Sequence, residues 1–220
     1  MTLFDQSQDY SQGFRFKKSE LGVFSGNSDL AIKPLNHHSR ILGLTRGDFS
    51  LIDLIYSILK KIGKSKVICC TWSAGIKDAN QVQWMLNSNL IDSFTLVTDH
   101  SYVTRQKKYA LAIEDLFGKD NIRTSEIHAK FVLIQNDSWN ICIRTSMNLN
   151  ANKTCETFEI DDDLEIFNFY KKFIDETFKN TPSGFEQKGW VVNASLDKFF
   201  GEEKKETKHS DFQFFKMSSE

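Results

Sequence analysis

The stretch HAKFVLIQNDSWNICIRTSMNLNANKTCE, residues 128–156, decides how the rest of the chain is read. It sets His128 and Lys130 two apart, Ser146 and Asn148 two apart, and Glu156 at its close. On a strand, residues i and i+2 share a face. Read as a hairpin, the first strand turns His128 and Lys130 to one side, with Val132 and Ile134 deeper on that side as core. Phe131 and Leu133 turn to the other. QNDS at 135–138 supplies the reversal, because Asn, Asp and Ser favour turns. The second strand runs from Trp139 to Arg144 and delivers Thr145, Ser146 and Asn148 at its end. One place then carries an imidazole, an ammonium, a hydroxyl, an amide and a carboxylate.

Those groups suit phosphodiester chemistry. Attack at phosphorus builds charge on the non-bridging oxygens, and an ammonium, an amide and a hydroxyl can hold it. A histidine held by a carboxylate can attack phosphorus and form a covalent intermediate. The pattern His128-x-Lys130 followed by Thr145-Ser146-x-Asn148 resembles the phospholipase D superfamily, whose motif is HxK, an Asp after four intervening residues, and a GSxN element. In this chain the Asp position falls on Gln135, with Asp137 two residues late, and Thr145 stands for the glycine.

The resemblance covers about residues 45–178 and implies an α/β fold: a mixed β-sheet flanked by helices, one half of a two-motif enzyme. It implies His128 as nucleophile, Lys130 and Asn148 as phosphate ligands, and Glu156 as the acid that orients the histidine. Ser146, Thr145, Arg144 and His100 are the candidate substrate contacts, and no metal or cofactor is expected. Single-motif members pair two chains, so that one His attacks and its counterpart protonates the leaving oxygen. A homodimer with one shared site follows from that, and two-fold contacts are the commonest oligomeric arrangement. The function expected is a metal-independent phosphodiesterase, a nuclease by analogy with small single-motif and sometimes phage-borne relatives. A second reading is a catalytically degenerate module of the same fold that binds nucleic acid or serves a phage or defence complex. A third is an unrelated α/β interaction protein.

At 220 residues the chain suits one domain, 46–180, with an N-terminal extension over 1–45 and a C-terminal one over 181–220. Its hydrophobic content of 40% is enough for a core. A net charge of −1 gives no global basic field, so binding of nucleic acid requires a local patch. The cysteines at 69, 70, 142 and 155 read as reduced thiols, and no CxxC or HxxxH spacing suggests zinc. The sequence MTLFDQSQDY does not read as a signal peptide, and no apolar run reaches about 18 residues. A cytoplasmic protein with no membrane partner is expected.

Short apolar pieces at Leu21–Phe24 and Leu30–Ile32 suggest edge strands, and His37-His38 a polar loop. Ser50, with Asp53 three residues on, caps a helix carrying Leu51, Leu54, Ile55, Ile58, Leu59 and Ile62, which Gly63 ends. The lysines at 60, 61, 64 and 66 suit a helix C-terminus. Strands are expected at 66–71, 93–98, 121–126 and 157–160, and helices at 78–90 and 104–117. His100 lies just past a strand end, where open α/β sheets gather ligands, though a surface-loop histidine fits there as well. Arg105, Lys107 and Lys108 crowd a helix start, against the dipole, and are read as possible phosphate-backbone contacts. Asp161-Asp162-Asp163 is read as helix N-terminal charge, leading a helix whose apolar face is Ile166, Phe167, Tyr170, Phe173, Ile174 and Phe178. A strand at 190–192 and a charged, Phe-bearing tail close the chain.

Overall fold

The computed structural model describes residues 19–22, 27–151 and 153–185. In order they form β1 (Ser19–Gly22), α1 (Ser28–Ala31), β2 (Arg40–Thr45), α2 (Leu51–Ile62), β3 (Ser65–Thr71), α3 (Ile76–Asn87) and β4 (Ile91–Asp99). Then come α4 (Ser101–Arg105), α5 (Lys107–Phe117), β5 (Ile122–Ser125), β6 (Phe131–Gln135), β7 (Asn140–Thr145), β8 (Glu156–Asp162) and α6 (Leu164–Asn180). The described strands make one eight-stranded sheet, ordered β1-β2-β8-β7-β6-β3-β4-β5. The β3–β4–β5 side is parallel, while β6, β7, β8 and β2 alternate antiparallel. The mixed α/β architecture is the one expected from the sequence.

Helix α2 shows how local chemistry starts and stops an element. Ser50 Oγ accepts from Asp53 N, and Asp53 accepts from Ser50 N at 2.8 Å, a reciprocal capping box. Gly63 ends the helix at φ +88°, backbone that a side chain would strain. Between these ends Leu51, Leu54, Ile55, Ile58 and Leu59 are sealed from solvent. Each such side chain contributes about 1.5–3 kcal/mol by burial.

The sheet is covered on both sides. Val67, Cys69, Val132, Ile134, Ile141, Ile143 and Ile160 face the layer holding α2, α3 and α5. Cys70, Val97, Phe131, Leu133 and Cys142 face α6, which contributes Phe167, Phe173 and Ile174. This explains why β6 reads FVLIQ with no polar alternation: both of its faces are buried.

Several expectations are corrected. β2 pairs along its whole length with β8, so the sheet begins upstream of residue 46. Residues 28–31 form a helix capped by Asn27, in place of the edge strand expected at 30–32. The helix expected over 104–117 is two, broken where Gln106 takes φ −138° and ψ 47°. Asp161 and Asp162 belong to β8, and only Asp163 caps α6, accepting from Glu165 N and Ile166 N. There the cross-strand arginines, invisible to local patterning, override the helix-start preference. The strand at 190–192 and the tail lie outside the described residues.

Candidate active site

His128 and Lys130 are not on a strand: β6 starts only at Phe131. They sit in the segment that enters it, and tertiary contacts fix that segment. Asp99, at the end of β4, accepts from Ile127 N at 3.2 Å. The Cys70 thiol points to Ala129 O at 3.9 Å. Lys130 O accepts from Thr145 N at 3.1 Å, which sets the His-x-Lys segment beside the turn after β7. Because β3, β4 and β7 end where β6 and β8 begin, Thr71, Asp99, His128, Thr145 and Glu156 share one end of the sheet.

Ser146 lies between β7 and β8. Its Oγ donates to Glu156 and accepts from Thr157 N at 2.9 Å. Thr154 Oγ1 donates to the other Glu156 oxygen at 3.0 Å. Thr145 Oγ1 donates to Thr157 O and accepts from Met147 N, turning the chain into the Ser146–Asn148 bend. The far side of that bend is stitched to the end of β3. Thr71 Oγ1 accepts from Leu149 N at 3.1 Å, donates to Ser73 O at 2.8 Å and lies 3.3 Å from Asn148 Oδ1. Gly75 N donates to Leu149 O at 2.7 Å, and Asn150 Nδ2 donates to Ser73 Oγ at 3.2 Å. The Asn148 Nδ2 hydrogens are donors that a ligand can take.

Lys130 is folded back on its own segment. Its Nζ donates to His128 O at 2.8 Å and lies 3.4 Å from His128 Nδ1. Partial burial lowers its pKa, opposed by the nearby Glu156 carboxylate. An ammonium has only donors to offer, so a neutral His128 in this arrangement carries its proton on Nε2.

Trp72 and Arg105 lie beside His128; the sequence reading gave Arg105 as a phosphate-backbone contact and assigned Trp72 no role. The Trp72 ring is 5.5 Å from the His128 ring, tilted by 58°. The Arg105 guanidinium lies over Trp72, 3.7 Å from the ring centre. Arg105 Nε donates to Ser101 Oγ at 3.1 Å and its Nη2 to Trp72 O at 3.2 Å. Ser101 in turn donates through N and Oγ to Asp99, which also holds Ile127. The available signal was a Trp at a strand carboxyl end together with cations against a helix dipole.

The remaining candidates differ. His100 is pinned by its backbone to Ser125 O at 3.0 Å and lies 3.8 Å from Asp99, part of the support beneath the His128 segment. Arg144 is bound to Asp161 and to Glu159 (2.7 Å), and Arg40 joins the same two acids at 2.7 and 3.4 Å. That cluster has no net charge. A groove of about 450 Å³ runs past it, lined by Leu42, Arg144, Thr145, Ser146, Thr157 and Glu159 among others. A cleft of about 10 Å³ beside Asn148, Glu156 and Phe49 has room for little more than a water. Gln135 is at the far end of β6, bonded to Asn140 at 2.8 Å and roughly 16 Å along the strand from Lys130. Among the described residues no three His, Cys, Asp or Glu side chains group as a metal site, and no helix is long and apolar enough to cross a membrane.

No family model matches the sequence, and no curated protein is significantly similar to it. Solved structures are similar in fold. NucT from Helicobacter pylori matches with a TM-score of 0.47 at 15% identity, over 66% of this chain and 99% of that one. Nuc from Salmonella typhimurium, a phospholipase D family member, matches with 0.45 at 11%, over 66% and 97%. Phosphatidylserine synthase from Haemophilus influenzae matches with 0.45 at 14%, over 74% and 45%.

Proposed function

We propose that this chain is a phosphodiesterase of the phospholipase D type, that its substrate is nucleic acid, and that His128 is the nucleophile. The observation that carries the proposal is the Lys130–Thr145 backbone bond. It sets imidazole, ammonium, Ser146–Glu156 and the Asn148 amide around the same end of the sheet. Phosphate between these groups meets Lys130 and the Asn148 Nδ2 hydrogens, both suited to charge on non-bridging oxygens.

The folded-back lysine gives the reaction an order. Attack needs a lone pair on His128 Nε2, hence a proton on Nδ1. Lys130 as it lies favours the opposite tautomer. Arrival of a phosphate draws Lys130 off Nδ1, the proton moves to Nδ1, and Glu156 is the acid proposed to hold it there. Nε2 then bonds to phosphorus while the bond to the leaving oxygen breaks, and a second acid protonates that oxygen. Water attacks the phosphohistidine, the N–P bond breaks, and the histidine is regenerated. A single chain supplies one such histidine, so the proposed enzyme is a homodimer whose second His128 is the acid.

The test is cleavage of labelled DNA and of an aryl phosphodiester in EDTA by the wild type and His128→Ala. Activity confined to the wild type supports the enzyme; equal activity in both removes it. Two features favour the second reading, a binding module of the same fold: Lys130 rests on His128, and Glu156 is occupied by two hydroxyls. DNA bound by both proteins and cut by neither selects that module.

A further inference from the structure

We infer that Trp72 and Arg105 form a stacking platform for an unpaired nucleobase next to the reacting phosphate, which makes single-stranded nucleic acid the preferred substrate. The inference rests on the phosphodiesterase reading only for where the phosphate lies.

Arg105 is exposed, yet three contacts fix it: Ser101 Oγ, Trp72 O and the Trp72 ring. Immobilising so flexible a side chain is costly in entropy. An exposed arginine is normally fixed by a carboxylate, but these partners are a hydroxyl, a carbonyl and an aromatic face, none of them anionic. The positive charge is oriented and not neutralised by them. Nη1 takes part in neither hydrogen bond, and an arginine guanidinium plane is a surface on which an unpaired base can stack. The platform borders the nucleophile directly through the Trp72–His128 ring contact. Lys107 and Lys108 follow within three residues, exposed at the start of α5, where the helix dipole makes cations unfavourable without an anion nearby. An aromatic face interleaved with cations is the chemistry that tracks a single strand, because every base has a π-face while the backbone supplies the charge. A duplex keeps its bases paired and has none to offer Trp72.

The experiment uses the full chain carrying His128→Ala, so that nothing is cut, with a fluorescent single-stranded 12-mer read by anisotropy across a salt series. Trp72→Ala weakens binding on the order of ten-fold, and Trp72→Phe recovers most of it. Arg105→Ala weakens binding and lowers the slope of log affinity against log salt by about 0.7, the signature of one lost single-strand phosphate contact; Arg105→Lys restores the slope but not the full affinity. Lys171→Ala, which breaks a surface pair on α6, serves as the control and changes neither. Tighter binding of the matching duplex, or Trp72→Ala binding within two-fold of the parent, overturns the platform. In the active background, the ratio of kcat/KM for the 12-mer to that for the aryl diester falls about ten-fold in Trp72→Ala. A wild type that cuts neither substrate refutes the phosphodiesterase while the binding series still decides the platform.

Discussion

Asp161 offers the most decisive test of what holds the fold beside the site. Its side chain is 0% exposed and bridges two strands, meeting Arg40 Nε at 2.7 Å from β2 and Arg144 from β7. Replacing it with alanine removes the central anion and leaves two guanidiniums facing each other across β8, with Glu159 beside them. Removing one partner of a buried pair costs about 3–5 kcal/mol. Arg40 and Arg144 remain 34% and 29% exposed, so water relieves part of the loss and the lower end applies, about 3 kcal/mol. With a urea slope of about 2 kcal/mol/M, that shifts the unfolding midpoint down by roughly 1.5 M.

The assay is urea unfolding followed by far-ultraviolet circular dichroism, with the slope checked for constancy. Asp161→Asn keeps the shape and an acceptor but not the charge, and falls between alanine and wild type. The triple change Arg40→Met, Asp161→Leu, Arg144→Met recovers most of the loss, because apolar groups of similar volume replace buried ion clusters at little cost. Breaking the exposed Lys171–Asp175 pair by Asp175→Ala costs no more than about 0.5 kcal/mol by comparison. A midpoint shift below about 0.3 M for Asp161→Ala at unchanged slope would refute the reasoning, and with it the structural role given to Arg144.

Thr71→Val leaves the buried Leu149 N–H without its acceptor and frees the Asn148 bend, at about 1–3 kcal/mol; faster amide exchange at Leu149 than at Leu96 checks it. Cys69, Cys70 and Cys142 are buried, and burial pushes the Cys69 and Cys142 thiols up to about 12. A thiol reagent at neutral pH should therefore titrate Cys155 alone in native protein, and all four cysteines in guanidinium. Gly43→Ala places a Cβ 2.1 Å from the buried Phe158 ring and should cost about 1–3 kcal/mol, of which Phe158→Leu restores part; an unchanged urea midpoint counts against the packing. Burial raises the Asp78 pKa in the fold, so its contribution is fully present below the unfolded carboxylate value and lost as pH rises through the raised one. Asp78→Asn should thus gain on the wild type in urea midpoint between pH 4 and 7, and a constant difference would contradict that sign.

The elements legible in the sequence are those whose signals are local. Ser50 and Asp53, three residues apart, start α2 and Gly63 ends it, and a run of β-branched and thiol side chains marks β3. Non-local pairing accounts for what was misread. Asp161 and Asp162 look like helix-start acids because Asp163 is one, yet Arg40 and Arg144, 121 and 17 residues away, draw Asp161 into the sheet. Asp162 is held likewise by His37 Nδ1 at 3.0 Å and by Asn140 N at 3.1 Å, and His37 stacks on Trp139 with 3.8 Å between ring centres. His37 and His38 lie in an exposed turn, as the polar-loop reading expects, and that turn also anchors the sheet end opposite the site.

The site shows the same division between residue type and placement. The types at 128, 130, 146, 148 and 156 were readable, but the strand periodicity invoked to align His128 with Lys130 does not operate, because both precede β6. Their alignment comes instead from Asp99 on Ile127, Cys70 on Ala129 and Thr145 on Lys130, contacts spanning 28, 59 and 15 residues. This bears on Gln135 as well. A motif aspartate five residues beyond Lys130 would lie at the hairpin's closed end, where Gln135 bonds to Asn140 across the turn. Gln135 therefore closes the hairpin and lies away from the proposed phosphate site. Thr145 differs again: its hydroxyl bonds to Thr157 O and Met147 N shape the bend that presents Ser146 and Asn148.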